Sequence, residues 1–144
     1  MAENLEIKEL EQVVVRFSGD SGDGMQLAGN IFSTVSATVG NSISTFPDYP
    51  ADIRAPQGSL TGVSGFQVHI GAGQVFTPGD QCDVLVAMNA AALKTQYKYA
   101  KPQATIIIDT DSFQQSDLDK AQFQTADYLG EMGINPDRVI QCPI

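Results

Sequence analysis

Short apolar runs alternate with stretches of helical periodicity along most of this chain. Gln12 to Phe17 (QVVVRF) is apolar and β-branched, the composition of a buried strand. Behind a glycine-rich turn, Met25, Ala28, Gly29 and Phe32 fall on one helical face, predicting a helix through about Val39. Thr34, Ser36 and Thr38 are poor helix formers, so that helix depends on tertiary packing. Gly40-Asn41 is a stop signal, and Ser42 to Phe46 alternates as a second strand. Gly65 to Gly71 predicts a further strand, antiparallel and near an edge. Asp83 to Ala87 and Ala104 to Ile108 read as short buried strands, with a helix over Ala90 to Tyr99 capped by Asn89. A last helix surrounds Thr125 to Met132, and Arg138 to Cys142 begins another strand.

This strand-to-helix rhythm predicts a three-layer α/β/α domain with a mostly parallel central sheet. Residues 1–11 are assigned to a flexible or helical extension and residues 12–144 to the domain. The sequence stops just after a strand with no closing helix, so a longer parent chain is expected. Between Pro47 and Ser64 lies a polar, glycine- and proline-rich stretch in which a helix is disfavoured. Loops of that length in a compact domain usually bind something or meet a partner.

Seventeen acidic against 8 basic side chains give a formal charge of −9, with no Lys/Arg cluster, which argues against a nucleic-acid face. The N-terminus has no apolar signal core, and no apolar run is long enough to span a bilayer. Cys82 and Cys142 form no CxxC pair and are read as reduced thiols rather than a disulfide or metal site. His69, the single histidine, sits in the alternating run GFQVHIG and is read as structural.

The chemistry concentrates in FSGDSGDGMQLAGNIFS, residues Phe17 to Ser33. Gly19, Gly22 and Gly24 permit a tight turn, and a helix N-terminus behind them favours an anion. The string is neither GxGxxG nor GxxxxGK[ST], and Asp20 and Asp23 make close phosphate approach less comfortable. Phosphate contact and a plain structural turn both stay open. Arg54 in PADIRAPQG suits a carboxylate or phosphate, but Asp48 and Asp52 offer it an internal ion pair. Asp109 and Asp111 read as caps for the turn after their strand in preference to ligands of a hard cation, and Met88-Asn89 reads either as part of the ligand-facing edge or as simple helix initiation. No Ser, His and Asp combination makes a nucleophile triad, so no catalytic residue and no metal site are assigned.

FSGDSGDGMQLAGNIFS followed by PADIRAPQGSLTGVSGFQVHIG resembles the gamma domain of 2-oxoacid:ferredoxin oxidoreductases. The resemblance covers most of residues 12–144, including VLVAMNAAAL and TIIIDTD. It is closest to the N-terminal region of a 2-oxoglutarate-type alpha subunit in which gamma and alpha regions are fused. It implies CoA-dependent oxidative decarboxylation of a 2-oxoacid, with carbon dioxide released and ferredoxin reduced. Thiamine diphosphate, magnesium and an iron–sulfur cluster are implied for the full complex, in the alpha region and a thiamine-binding beta subunit. CoA is implied at the edge of this domain, with roles on the CoA side or at an interface carried onto Ser18, Gly19, Asp20, Gly22, Asp23, Gly24 and Arg54. The family loop is closer to GxGGQG, and the acids in GDSGDG favour backbone contact or a packing surface. A scaffold role and an isolated nucleotide-binding module are the alternatives. Partners of this kind imply a cytoplasmic protein.

Overall fold

The computed structural model describes residues 11–20, 24–48, 63–75, 77 and 81–143. The extension expected over residues 1–11 falls almost wholly outside them, as do Gly22, Asp23 and Arg54. In chain order the elements are β1 (Gln12–Asp20), α1 (Met25–Thr38), β2 (Ser42–Asp48), β3 (Val63–Gly71), β4 (Cys82–Ala87) and α2 (Ala90–Gln96). They continue with β5 (Ala100–Asp109), α3 (Gln115–Lys120), α4 (Tyr128–Met132) and β6 (Val139–Cys142).

The six strands form one sheet in the order β2-β3-β1-β4-β5-β6. β3 is antiparallel to both neighbours, β1 and β2, while β1, β4, β5 and β6 pair in parallel. All strands except β3 therefore point the same way. β3 is antiparallel and near an edge, as expected, second in the sheet; β2 holds the edge itself and tolerates Pro47 there. Three differences from the sequence reading have simple causes. β1 runs on to Asp20 because β3 keeps pairing with it, Asp20 opposite Val63. β5 starts at Ala100, with Cys82 opposite it and a register shift before Val84. α3 was not anticipated: Leu118 is its one buried residue, too little to produce a readable periodicity.

Strand alternation divides the core in two. One face carries Val15, Phe17, Phe66, Val68, Ile70 and Val86 beneath Ala28 and Phe32 of α1. The other carries Val14, Leu85, Ala87, Ile106 and Ile108, packed with Ala92 and Leu93 of α2 and Leu129 of α4. Leu85, Leu93, Ile106 and Ile108 are fully buried; each such side chain stabilises the fold by about 1.5–3 kcal/mol. Phe113 and Phe123 close on Tyr128 at 4.9 and 5.9 Å and tie the α3–α4 region to the domain.

α1 contains no charged residue. The hydroxyls of Ser33, Thr34 and Thr38 donate to carbonyls one turn back at 2.9, 2.9 and 2.8 Å, so these poor formers satisfy themselves within the helix. Gly29 lets α1 settle on the sheet, because a Cβ there would strike the Phe66 ring. The outer side of the same helix exposes Leu27, Ile31, Val35 and Val39, between 55% and 71% accessible.

His69 lies in β3, where Nδ1 donates to the Thr77 carbonyl at 2.6 Å and Nε2 meets Gln12 Oε1 at 2.7 Å. Cys82 and Cys142 are free thiols on β4 and β6, two strands apart in the sheet.

Gly29→Val is expected to destabilise the domain by about 1–3 kcal/mol through overpacking against Phe66, read as a lower urea midpoint with unchanged slope. Cys82 supplies a pH signature. Burial, only partly opposed by the nearby Arg16 charge, pushes its thiol up from 9.0 to about 11. The unfolded chain thus loses this proton first, and stability falls as pH rises from 9 towards 11. Cys82→Ala should remove that component, so that the gap between the unfolding midpoints of the two proteins narrows across this window.

Candidate functional site at the switch point of the sheet

β1 leads through α1 to β2 on one side of the sheet, while β4 leads through α2 to β5 on the other. Parallel connections are right-handed, so reversing the direction of travel moves the helices from one face to the other. α1 and α2 accordingly lie on opposite faces, and the reversal falls between β1 and β4. Open α/β sheets bind ligands outside the carboxyl ends of the strands at such a point. Here those ends are Ser18-Gly19-Asp20 and Ala87-Met88-Asn89.

The base of this site is tightly joined. Ser18 is fully buried, and its hydroxyl donates to the Val86 carbonyl at 2.9 Å. Met88 N–H donates to the Ser18 carbonyl at 2.9 Å, continuing the β1–β4 pairing beyond the last strand residue of β4. Gly19 is buried and opposite Ser64, and Asp20 is opposite Val63. Ser18 and Gly19 thus form the floor rather than the rim, in strand where a loop was expected. Gly24 is the N-cap of α1 with φ of +79°, a conformation suited to glycine, and it has no side chain with which to cap the helix. With no acidic residue in its first turn, the N-terminal end of α1 keeps its positive partial charge. Anionic ligands suit that position.

The second wall behaves as expected for structural caps. Asn89 Oδ1 accepts from Ala92 N–H at 2.7 Å and starts α2. Asp109 accepts from Asp111 N–H at 3.2 Å and from the Ser112 hydroxyl at 3.0 Å, stabilising the turn after β5. Among the described residues no three His, Cys, Asp or Glu side chains gather to hold a metal ion. The α1 end, with a neutral first turn and a glycine entry, suits an anionic group such as a phosphate.

One participant is not apparent from the sequence pattern. Arg16, inside the apolar run of β1, is only 2% exposed. Its Nε donates to Gln96 Oε1 at 2.8 Å and its Nη1 to Gln67 Oε1 at 3.0 Å, while the guanidinium lies 4.2 Å from the Tyr99 ring centroid. Gly65 makes room for it: a Cβ there would approach Nη2 to 2.6 Å. This cation binds β1, β3 and the end of α2 together two residues below the floor of the site. The one signal in the sequence was a charge in VVVRF, where strand composition alone gives it no purpose.

Arg54, Gly22 and Asp23 lie outside the described residues, but the ends of their segments do not. β2 finishes at Asp48 opposite Gly65, and β3 starts at Val63 opposite Asp20. The stretch containing DIRAPQG therefore leaves and re-enters the sheet at the same end as the glycine turn.

Residues 14–139 match the family model described as pyruvate ferredoxin/flavodoxin oxidoreductase. The chain is 48% identical over 118 residues to the 2-oxoglutarate oxidoreductase subunit KorA of Mycobacterium tuberculosis (strain ATCC 25618 / H37Rv), covering 82% of this chain and 18% of that protein. It spans less than a fifth of that curated relative. Among solved structures, the fold resembles the 2-oxoglutarate:ferredoxin oxidoreductase of Magnetococcus marinus, a complex with 2-oxoglutarate, coenzyme A and succinyl-CoA bound. That match has a TM-score of 0.65 and 23% identity, over 94% of this chain and 20% of that one. It also resembles the keto/oxoacid ferredoxin oxidoreductase gamma subunit of Geobacter sulfurreducens, with a TM-score of 0.53 and 28% identity, over 69% of this chain and 51% of that one. With the family model matching residues 14–139 and 48% identity to KorA over 82% of this chain, the chain belongs to the pyruvate ferredoxin/flavodoxin oxidoreductase family.

Proposed function

We propose that this chain is the gamma-type domain of a 2-oxoglutarate:ferredoxin oxidoreductase, fused in its natural context to an alpha region and assembled with a thiamine-binding beta subunit. What supports this reading is the family match together with the described strand ends: β1 ends at Asp20 opposite Val63, and β2 ends at Asp48 opposite Gly65, at one end of the sheet. Nearly half of KorA's matched positions are identical, which supports 2-oxoglutarate as the substrate class.

The overall reaction joins the acyl carbon of 2-oxoglutarate to the CoA sulfur as carbon dioxide leaves, with the released electrons passing to ferredoxin. Thiamine diphosphate supplies the carbanion chemistry when bound, and in this reading it resides outside the domain together with magnesium and the iron–sulfur cluster. The domain's own residues bind and orient. Backbone N–H groups around Gly19, Gly22 and Gly24 and the positive end of α1 receive CoA phosphate. That role requires Asp20 and Asp23 to point away from the phosphate or to meet a cation, and in this reading Arg54 supplies a cation. Ser18 positions this floor through Val86 without touching ligand, and Arg16 holds the strands beneath. The expected setting is the cytoplasm; no helix of the described residues is long and apolar enough to cross a membrane.

Two variants separate ligand contact from scaffolding. Arg54→Ala in the assembled enzyme should weaken CoA roughly 10- to 100-fold, the loss of one charge-assisted hydrogen bond, with subunit composition unchanged. Loss of assembly instead would favour a scaffold role. Gly24 and Gly40 flank α1 with φ of +79° and +94°, and both have open space where a Cβ would sit. Gly24→Ala and Gly40→Ala should each cost about 1–2 kcal/mol of stability, but only Gly24→Ala should raise the apparent KM for CoA. Equal KM values in the two variants would remove the glycine turn from the CoA site.

A further inference from the structure

Gln96, at the end of α2, belongs to no motif of the sequence, yet it stands on the buried face of its helix with Ala92 and Leu93. It is 8% exposed, one turn beyond Ala92 on a face that is otherwise apolar. Its Oε1 accepts from Arg16 Nε at 2.8 Å across 80 residues of sequence. Arg16 is held in turn by Gln67 Oε1 at 3.0 Å and by the Tyr99 ring at 4.2 Å. Arg16 and Ser18 are two residues apart on β1 and so share one face of the sheet. Leu85 and Ala87, their partners on β4, belong to the core on which Ala92 and Leu93 pack, so this is the face that α2 covers. The guanidinium fills the space that a Cβ at Gly65 would need, and Gly65 is the residue opposite Ser18. The network therefore reaches the underside of the floor of the site.

α2 is about 10 Å long and is tied to β1 at both ends. At the upper end Met88 N–H donates to the Ser18 carbonyl at 2.9 Å, and the next residue, Asn89, caps the helix. At the lower end stands the bond between Gln96 and Arg16. Between the two ties Ala92 and Leu93 pack on the sheet. Apolar contact is non-directional and leaves a helix free to slide or tilt, whereas a guanidinium presents its N–H groups in a rigid fork. We propose, resting on the CoA reading above, that Gln96 is a positioning residue for the anionic ligand at the switch point. Acting through Arg16, it holds Met88-Asn89, the second wall of the site, in fixed register with the floor at Ser18-Gly19. Gln96 touches no ligand in this role. Without it the wall shifts on the sheet and affinity falls, while the turnover of bound ligand, carried out by groups outside the domain, is unaffected.

The test uses the full-length enzyme purified with its partners. Gln96→Met keeps the volume and removes the acceptor, while Gln96→Glu keeps an acceptor for Arg16. Gln96→Met should raise both the Kd for CoA, measured by calorimetry, and the apparent KM for CoA roughly three- to tenfold, with kcat within about twofold of the parent. It should also speed hydrogen exchange in the peptide holding Met88 and Asn89. Gln96→Glu should return all of these close to the parent values. Ile106→Val, a one-methylene deletion at a fully buried position of β5, should lower stability and leave CoA affinity unchanged. Gln67→Met, which removes the other glutamine acceptor of Arg16, should repeat the pattern of Gln96→Met and supplies the reading if that variant fails to assemble. Unchanged CoA affinity in these glutamine variants, or an equal loss in Ile106→Val, would overturn the inference; a raised KM in Gly24→Ala under the same conditions would leave the proposed function standing. Unchanged affinity in the glutamine variants, Gly24→Ala and Arg54→Ala together would overturn both.

Discussion

The buried guanidinium of Arg16 is the constraint around which the sheet is organised. β1 pairs antiparallel with β3 on one side and parallel with β4 on the other, so it alone joins the two halves of the fold. Placing a cation in its middle requires polar partners from elements distant in sequence: Gln67, Gln96 and the Tyr99 ring. A buried charge left without such partners would cost several kcal/mol. The requirement therefore favours one register for β3 against β1 and one placement for the end of α2, and a Cβ at Gly65 would force the guanidinium to shift from its partners.

That register carries through to the chemistry. With Arg16 opposite Gln67, Ser18 falls opposite Gly65 and Asp20 opposite Val63, and the glycine turn emerges beside the entry to β3. On the other side Ser18 reaches Val86 and Met88, closing the floor between β1 and β4. The site is a product of topology more than of any reactive side chain. A domain built this way can present backbone groups and a helix end to an anion while leaving bond-breaking to neighbouring regions.

The elements easiest to read in the sequence were those whose apolar residues are consecutive and whose neighbours are local. QVVVRF, DVLVA and ATIIID became strands because near-continuous β-branched runs suit a sheet buried on both faces. The helix after the glycines was legible from Ala28, Gly29 and Phe32, and the cap at Asn89 from its residue type. What escaped depends on distant partners. The strand identity of Ser18 to Asp20 comes from β3, more than 40 residues later, and no local pattern encodes it. The role of Arg16 likewise depends on residues 51 and 80 positions away. Of the candidate site, the passage from β1 through glycines into α1 was visible in the sequence, while the placing of Ser18 and Gly19 within the strand was not.

The insertion of β3 between β1 and β2 also sets an order of events during synthesis. When β2 leaves the ribosome, β3, the strand that will lie between it and β1, does not yet exist. Until residues 63–71 have been made, α1 has only part of its seat, because Phe66 under Gly29 is still missing. Both flanking strands must wait with unpaired backbone edges, the condition in which nascent chains attract chaperones or each other. The arrival of β3 supplies two ladders, the helix seat and Gln67 together, while the arginine network is completed only when Gln96 and Tyr99 follow.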